Sequence, residues 1–263
     1  MKTQLYLLAL LTLVITACSN PKDKLAQEIA ALETSDHQSG ETKSELNLLI
    51  EQFVNTYPDD SLSKTYLENL SYYYFNVDST ALAKKYATQY IETYDSATNK
   101  HEFALIIARS LYKENQTMAS IDAFEQVQNG MMLSIADMRI LAMLHKTLLE
   151  DTSSNATELH WFKYAALVEH TDGVDASISA YQGFYEKFPD SELATSAMMM
   201  QADQLESKGS LEAAAEVYKK IISTYPESEQ AHTAQVILDK ELIGLSGKEM
   251  LEKIMADKNK STN

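Results

Sequence analysis

One cysteine, four prolines, seven glycines and one tryptophan are spread over 263 residues, and only Arg109 and Arg139 are arginines. Each scarcity excludes something. A lone thiol, Cys18, cannot close an internal disulfide. So few prolines and glycines argue against an all-β fold, which needs many tight turns, and no β-branched run with period two is present, so no strands are predicted. An arginine-poor chain with a formal net charge of −16 is a poor match for phosphate backbones, which excludes nucleic acid as a partner. Anionic membrane surface repels such a chain as well. The bland role of the charge is solubility at high local concentration. No glycine-rich phosphate loop and no Gly-x-Ser-x-Gly elbow occurs.

Long apolar runs are missing too. Leu5 to Ala17 is almost wholly apolar, but at about a dozen residues it is too short to span a bilayer and has the length of a signal-peptide core. It follows Lys2 and ends in Ile15-Thr16-Ala17-Cys18. This tetrad resembles the bacterial lipobox, with Ile15 standing where leucine is commonest. The resemblance implies cleavage before Cys18, a diacylglycerol on its sulfur and an acyl chain on its new amine. Several acyl chains anchor firmly, since each buried methylene contributes about 0.8 kcal/mol. Ser19 after the cysteine, in place of Asp, implies by the same resemblance the outer membrane, facing the periplasm, while Lys22-Asp23 is compatible with surface export. Loss of residues 1–17 takes Lys2 with it and moves the charge from −16 to −17. The expected organisation is a signal peptide over 1–17, a lipid-anchored tether over 18–41 with room for a short helix at 25–32, and a folded domain over 42–263.

What is present is an echo. Phe188-Pro189-Asp190-Ser191 returns as Tyr225-Pro226-Glu227-Ser228, a step of 225 − 188 = 37 residues. The same step carries Ala176 onto Ala213, Tyr181 onto Tyr218, and Ala194 and Ala197 onto Ala231 and Ala234. Tyr57-Pro58-Asp59 restates the corner, and Tyr94 lies one step beyond Tyr57 without the proline. The stretch 145–172 fits the period poorly. A short-period echo of this kind predicts stacked helical hairpins, a fold that presents a surface. Hydrophobic spacing predicts helices near 43–57, 61–75, 79–94, 98–114, 117–128, 133–149, 156–170, 174–188, 191–207, 211–225, 228–243 and 247–258. Capping-box spacing at Thr42/Glu45, Asn155/Glu158 and Ser246/Glu249 marks starts. Pro58 ends a helix, and Gly130, Gly173, Gly209 and Gly244 fall where helices stop or turn.

Residues 173–243 resemble tetratricopeptide repeats, and more narrowly those of envelope proteins of the outer-membrane assembly and Tol-Pal coordinator type. The likeness rests on Phe188, Pro189, Ala194, Ala197, Gly209, Ala213, Tyr218, Tyr225, Pro226, Ala231 and Ala234, with Tyr57 and Pro58 as an earlier copy. It implies an all-α, right-handed superhelical solenoid of antiparallel helix pairs, about 12 helices in all. In such pairs alanine lets two helices approach closely, the aromatic fills the groove between hairpins, and proline stops one helix so that the next reverses.

Candidate chemistry is sparse. No pair among His37, His101, His145, His160, His170 and His232 has the spacing of a helical zinc site, so they read as core or solvated residues, and no metal or cofactor is expected. With Cys18 acylated no thiol nucleophile remains, and the chain is not expected to be an enzyme. Tyrosine is concentrated between Tyr57 and Tyr94. The run Tyr72-Tyr73-Tyr74 spans about 200° of a helix, so all three cannot face one core. Met198-Met199-Met200 poses the same geometry. Asp60-Ser61-Leu62, Asp78-Ser79-Thr80 and Asp95-Ser96-Ala97 resemble an Asp-Ser/Thr-apolar O-glycosylation acceptor, but Asp and Ser are also ordinary N-caps. The chain lacks the Lys-Arg-Asn set that peptide-clamp repeats use for a C-terminal carboxylate. The expected function is a lipid-anchored scaffold that holds envelope proteins, with Tyr66, Tyr73 and Gln201 as groove residues. The alternative is capture of a glycan or peptide for a transport system.

Overall fold

A computed structural model describes residues 20–34, 40–96, 98–150 and 157–261. The leader and Cys18 lie outside the described residues, as does Asn155. Among the described residues there are thirteen α-helices and no strand: α1 (Pro21–Glu33), α2 (Gly40–Thr56), α3 (Ser61–Asn76), α4 (Thr80–Thr93), α5 (Lys100–Lys113), α6 (Thr117–Gln128), α7 (Ile135–Glu150), α8 (Glu158–Asp172), α9 (Val174–Lys187), α10 (Ala194–Ser207), α11 (Leu211–Thr224), α12 (Glu229–Asp239) and α13 (Gly247–Ser261). The all-α class is the one expected. The chain falls into two compact units that meet in sequence at Met131/Met132.

In unit 1, α1 packs on α2, α2 on α3, α3 on α4, α4 on α5 and α5 on α6. The segment expected as a tether is folded over 21–33: Leu25 and Ile29 stand one turn apart, and both are buried in the unit's core beside Ile50, Phe53, Leu67 and Leu70. In unit 2, α7 packs on α8, and contacts continue in chain order through α12. Its core gathers Ala165, Tyr181, Phe184, Ala194, Ala197, Met198, Tyr218 and Ile221.

α11 shows how the sequence makes one of these helices. Ala214, Tyr218 and Ile221 recur at intervals of four and three and are the buried residues of LEAAAEVYKKIIST, with Val217 packed partly buried beside them and Glu216, Lys219 and Lys220 exposed. The last turn closes with Tyr225 N donating to Ile221 O at 2.9 Å. Pro226 cannot continue it. Ser228 then caps α12, its hydroxyl accepting from Ala231 N at 3.0 Å. Ser246 and Glu249 form the expected reciprocal box at the head of α13. Thr42 is not a cap, because α2 already begins at Gly40. Gly173 and Gly209 take φ values of 93° and 80°, which a side chain resists.

Hairpins close over pairs of small residues twelve positions apart. Ser71 and Ala83, Ala108 and Ser120, Ala165 and Ser177, and Ala202 and Ala214 are all fully buried. The Ser120 hydroxyl donates to Ala108 O at 2.9 Å, and the Ser177 hydroxyl to Ala165 O at 3.1 Å, so one helix backbone lies within reach of the next helix's β-carbon. Ser71 to Ala108 and Ala165 to Ala202 are each steps of 37, whereas Ala108 to Ala165 is a step of 57. The extra length contains α7, which accounts for the poor periodicity around 145–172.

Candidate interaction surfaces

The first helices of successive hairpins touch one another as well as their own partners: α3 meets α5, and α10 meets α12. Side chains on these helices that are not consumed in hairpin packing therefore share a face within each unit.

In unit 1 the three consecutive tyrosines divide as helical geometry requires. Tyr74 turns into the layer. Its ring stacks on Tyr86 with centroids 5.8 Å apart, and its hydroxyl donates to Glu51 of α2. Tyr73 is half-buried with its ring edge-on to Tyr74 at 5.1 Å. Tyr72 is exposed and bridges to α5, where its hydroxyl donates to Glu102 and its ring lies 5.5 Å from Phe103. Desolvation, reinforced by that carboxylate, pushes the Tyr72 hydroxyl up to about 12, so it stays a donor throughout the physiological range. Phe75, one turn on, carries the Lys113 ammonium 4.4 Å above its ring.

In unit 2 Met198 is buried, Met199 half-buried and Met200 exposed. Glu169 on α8 accepts from the Gln204 amide of α10 at 2.9 Å, and Gln230 of α12 reaches Ser196 of α10 at 3.5 Å. Glu206 is fixed from two sides, by the Tyr218 hydroxyl and the Gly244 amide, both at 2.6 Å.

Of the three residues expected in a groove, Tyr73 is half-buried and the other two are buried. Tyr66 is buried with its ring edge against Phe53 at 5.1 Å. Gln201 is buried in the α9–α10 contact, accepting from the Tyr185 hydroxyl at 2.9 Å and donating to Gln182 at 3.4 Å. Its polar head is satisfied inside, which residue type alone did not foretell. The expected repeat-packing residues divide by burial. Ala194, Ala197, Tyr218, Ala231 and Ala234 are buried, while Tyr57, Phe188 and Tyr225 are half-buried at the corners beside exposed Pro58, Pro189 and Pro226. Ala213 is the exception: it is exposed, and its neighbour Ala214 is the buried one. The corners also communicate along the chain, because the Tyr225 hydroxyl donates to Pro189 O of the preceding corner at 2.7 Å. Tyr225→Phe is expected to lower stability by about 0.5–1.5 kcal/mol, the net worth of one such bond, read from a urea denaturation midpoint.

Asp60 of the first Asp-Ser-apolar triad is an N-cap, accepting from Leu62 N at 3.0 Å and paired with Lys22 of α1 at 2.6 Å. Ala97 of the third lies outside the described residues. Among the described residues no group of three or more His, Cys, Asp or Glu is placed to hold a metal, and no helix is long and apolar enough to cross a membrane.

His145 of α7 is fully buried with its Nδ1 3.2 Å from Nδ1 of His160 on α8. Burial, then His160 and Lys163, lower its pKa to about 3. The folded state thus keeps this imidazole neutral while the unfolded chain protonates it below about 6.5. The stability it permits is complete above that pH and is lost as pH falls from about 6.5 towards 3, by up to about 1.4 kcal/mol per pH unit. Stability against pH, compared between the parent and His145→Gln, should show a shallower acid limb in the variant.

Residues 196–228 match the tetratricopeptide repeat family, covering the α10–α11 hairpin from Ser196 onwards and the corner after it. No curated protein matches the sequence. Among solved structures the chain is similar to YrrB, described as a TPR protein with an unusual peptide-binding site, at 15% identity and a TM-score of 0.32 over 71% of this chain and 97% of that one. It is similar to PilW, a type IV pilus biogenesis factor, at 11% identity and a TM-score of 0.32 over 83% and 100%. It is also similar to RapI at 12% identity and a TM-score of 0.32, over 81% of this chain and 56% of RapI. Residues 196–228 thus match one such repeat within an all-helical array.

Proposed function

We propose that this protein is a lipid-anchored scaffold of the cell envelope, held at the outer membrane through Cys18 and facing the periplasm, that assembles other envelope proteins on the faces formed by its first helices. The observation that carries the reading is the direct contact of α3 with α5 and of α10 with α12, which leaves Tyr72 and Met200 exposed on helices fixed by packing on both sides. Aromatic and thioether side chains at exposed positions are residues that interfaces favour, the aromatic for contact area at low entropic cost and the thioether because it adapts to its partner. The lipobox resemblance supports the anchor, and the acidic charge supports attachment by lipid rather than by surface electrostatics.

The test is crosslinking and pull-down from native membranes beside a Cys18→Ala control. One defined envelope complex, lost or weakened in the control, is the expected result. Recovery of the same complex from soluble Cys18→Ala protein would remove the anchor from the account, and recovery of nothing reproducible would remove the scaffold.

A further inference from the structure

Glu169 on α8 and Asp203 and Glu206 on α10 place three carboxylates together in unit 2. Asp203 feels the other two: partial desolvation first, then Glu206 and Glu169, raise its pKa above the usual carboxylate range. Among the described residues none of the three forms an ion pair with a lysine or arginine. The second observation concerns Gln204. The residue is 7% exposed, and its amide nitrogen donates to Glu169 at 2.9 Å, while its amide oxygen is buried without a hydrogen-bond partner. The cluster therefore holds an excess of acceptors. Glu206 already receives the Tyr218 hydroxyl and the Gly244 amide, so the unmet demand falls on Asp203, Glu169 and the Gln204 oxygen. A guanidinium with five donors, or an ammonium with three, is the chemistry that answers it.

The surroundings specify more than a cation. Met199 and Met200 precede Asp203 by four and three positions on α10 and so share its face. Met200 is 43% exposed and Met199 half-buried. Resting on the reading that partners bind the first-helix faces, we propose that the α8–α10 face of unit 2 is a docking site for a basic amphipathic segment of a partner protein. Its arginine or lysine enters among Glu169, Asp203 and Gln204, and its adjacent apolar side chain rests on Met200. Thioethers adapt to varied apolar shapes, so the charge fixes position and the methionines supply contact.

The probe is a dye-labelled synthetic helix with a leucine stripe flanked by lysines, titrated against the full chain by fluorescence anisotropy. Saturable binding is expected, weakened about tenfold or more in Asp203→Asn/Glu169→Gln. A control, Glu92→Gln/Asp122→Asn, removes the same charge from exposed second-helix positions of unit 1 and should bind like the parent. Equal weakening in both variants would show diffuse attraction and overturn the site, as would the absence of saturation. A leucine-free lysine peptide that binds equally well would overturn the role of the methionines. Thermal melts give an independent reading. Asp203→Asn relieves like-charge repulsion and is expected to melt at or above the parent temperature, and a clear loss would mean that the carboxylate is already paired. The failure of this site and the failure of the scaffold reading remain separable: undiminished recovery of an envelope complex by the Asp203→Asn/Glu169→Gln chain would remove the site and leave the scaffold standing.

Discussion

Phe184→Ala is expected to destabilise unit 2 by about 3–5 kcal/mol, the largest single effect the structure implies. Phe184 has no exposed surface. Its ring lies 5.7 Å from Phe162 of α8 and 5.5 Å from Phe188 at the corner after α9, so one side chain ties the inside of a hairpin to its end. Removing it leaves a void that the alanine-lined surroundings, already at close approach, have little side-chain volume to fill. Phe188 would also lose its support, and with it the packing beside Trp161, whose ring is 5.9 Å away. Urea unfolding followed by Trp161 fluorescence reads this directly, since that tryptophan is the only one in the chain. A midpoint equal to that of the parent would contradict the packing described for α8 and α9.

Ala165→Leu is the opposite insult, and about 1–3 kcal/mol of destabilisation is expected from it. Here the problem is excess volume. The Ser177 hydroxyl reaches Ala165 O at 3.1 Å, so α9 crosses α8 where the side chain of residue 165 is a single methyl. Leucine at this point must push the helices apart or adopt a poor rotamer, and either breaks the serine bond. Ala213→Leu is the matched control, because Ala213 is exposed and its enlargement should leave the denaturation midpoint within about 0.5 kcal/mol. If the two substitutions had equal effects, the crossing would not be where the small residues lie.

These two substitutions also mark where the fold could be read from residues and where it could not. Amphipathic spacing and helix-stopping residues place α3 to α12 closely, and the predicted 117–128 coincides with α6, because both signals act locally. The small-residue pairs were legible in principle: their spacing of twelve repeats four times, and the jump of 57 between Ala108 and Ala165 announces the additional helix. The period points to Ala213 where burial falls on Ala214, because a period assigns a region while burial is decided by a rotation of 100° per residue. α1 reads as tether by composition, yet two apolar residues one turn apart suffice once a neighbouring helix offers a surface for them.

The site was less legible, for a different physical reason. Tyr66 and Gln201 are of types common in grooves, but their burial depends on which hairpin packs against them, a contact between elements far apart in sequence. Gln201 in particular is satisfied by a tyrosine hydroxyl from α9, a partner that no pattern within α10 reveals. The Tyr72–Glu102 bridge and the Glu169–Gln204 link lie 30 and 35 positions apart, again beyond the reach of local pattern. The runs Tyr72-Tyr73-Tyr74 and Met198-Met199-Met200 carry the correct constraint, that at least one residue of each must leave the core.

The central claim is that partners meet the first-helix faces, and site-specific photocrosslinking in native membranes tests it most directly. A benzophenone side chain at Tyr72 or Met200 samples those faces, and the same group at Asp122 of α6 or Glu216 of α11 samples exposed second-helix positions. Discrete adducts from Tyr72 and Met200, with little or none from Asp122 and Glu216, are the result predicted. Adducts concentrated at Asp122 and Glu216 would contradict the account and move the working surface to the second helices.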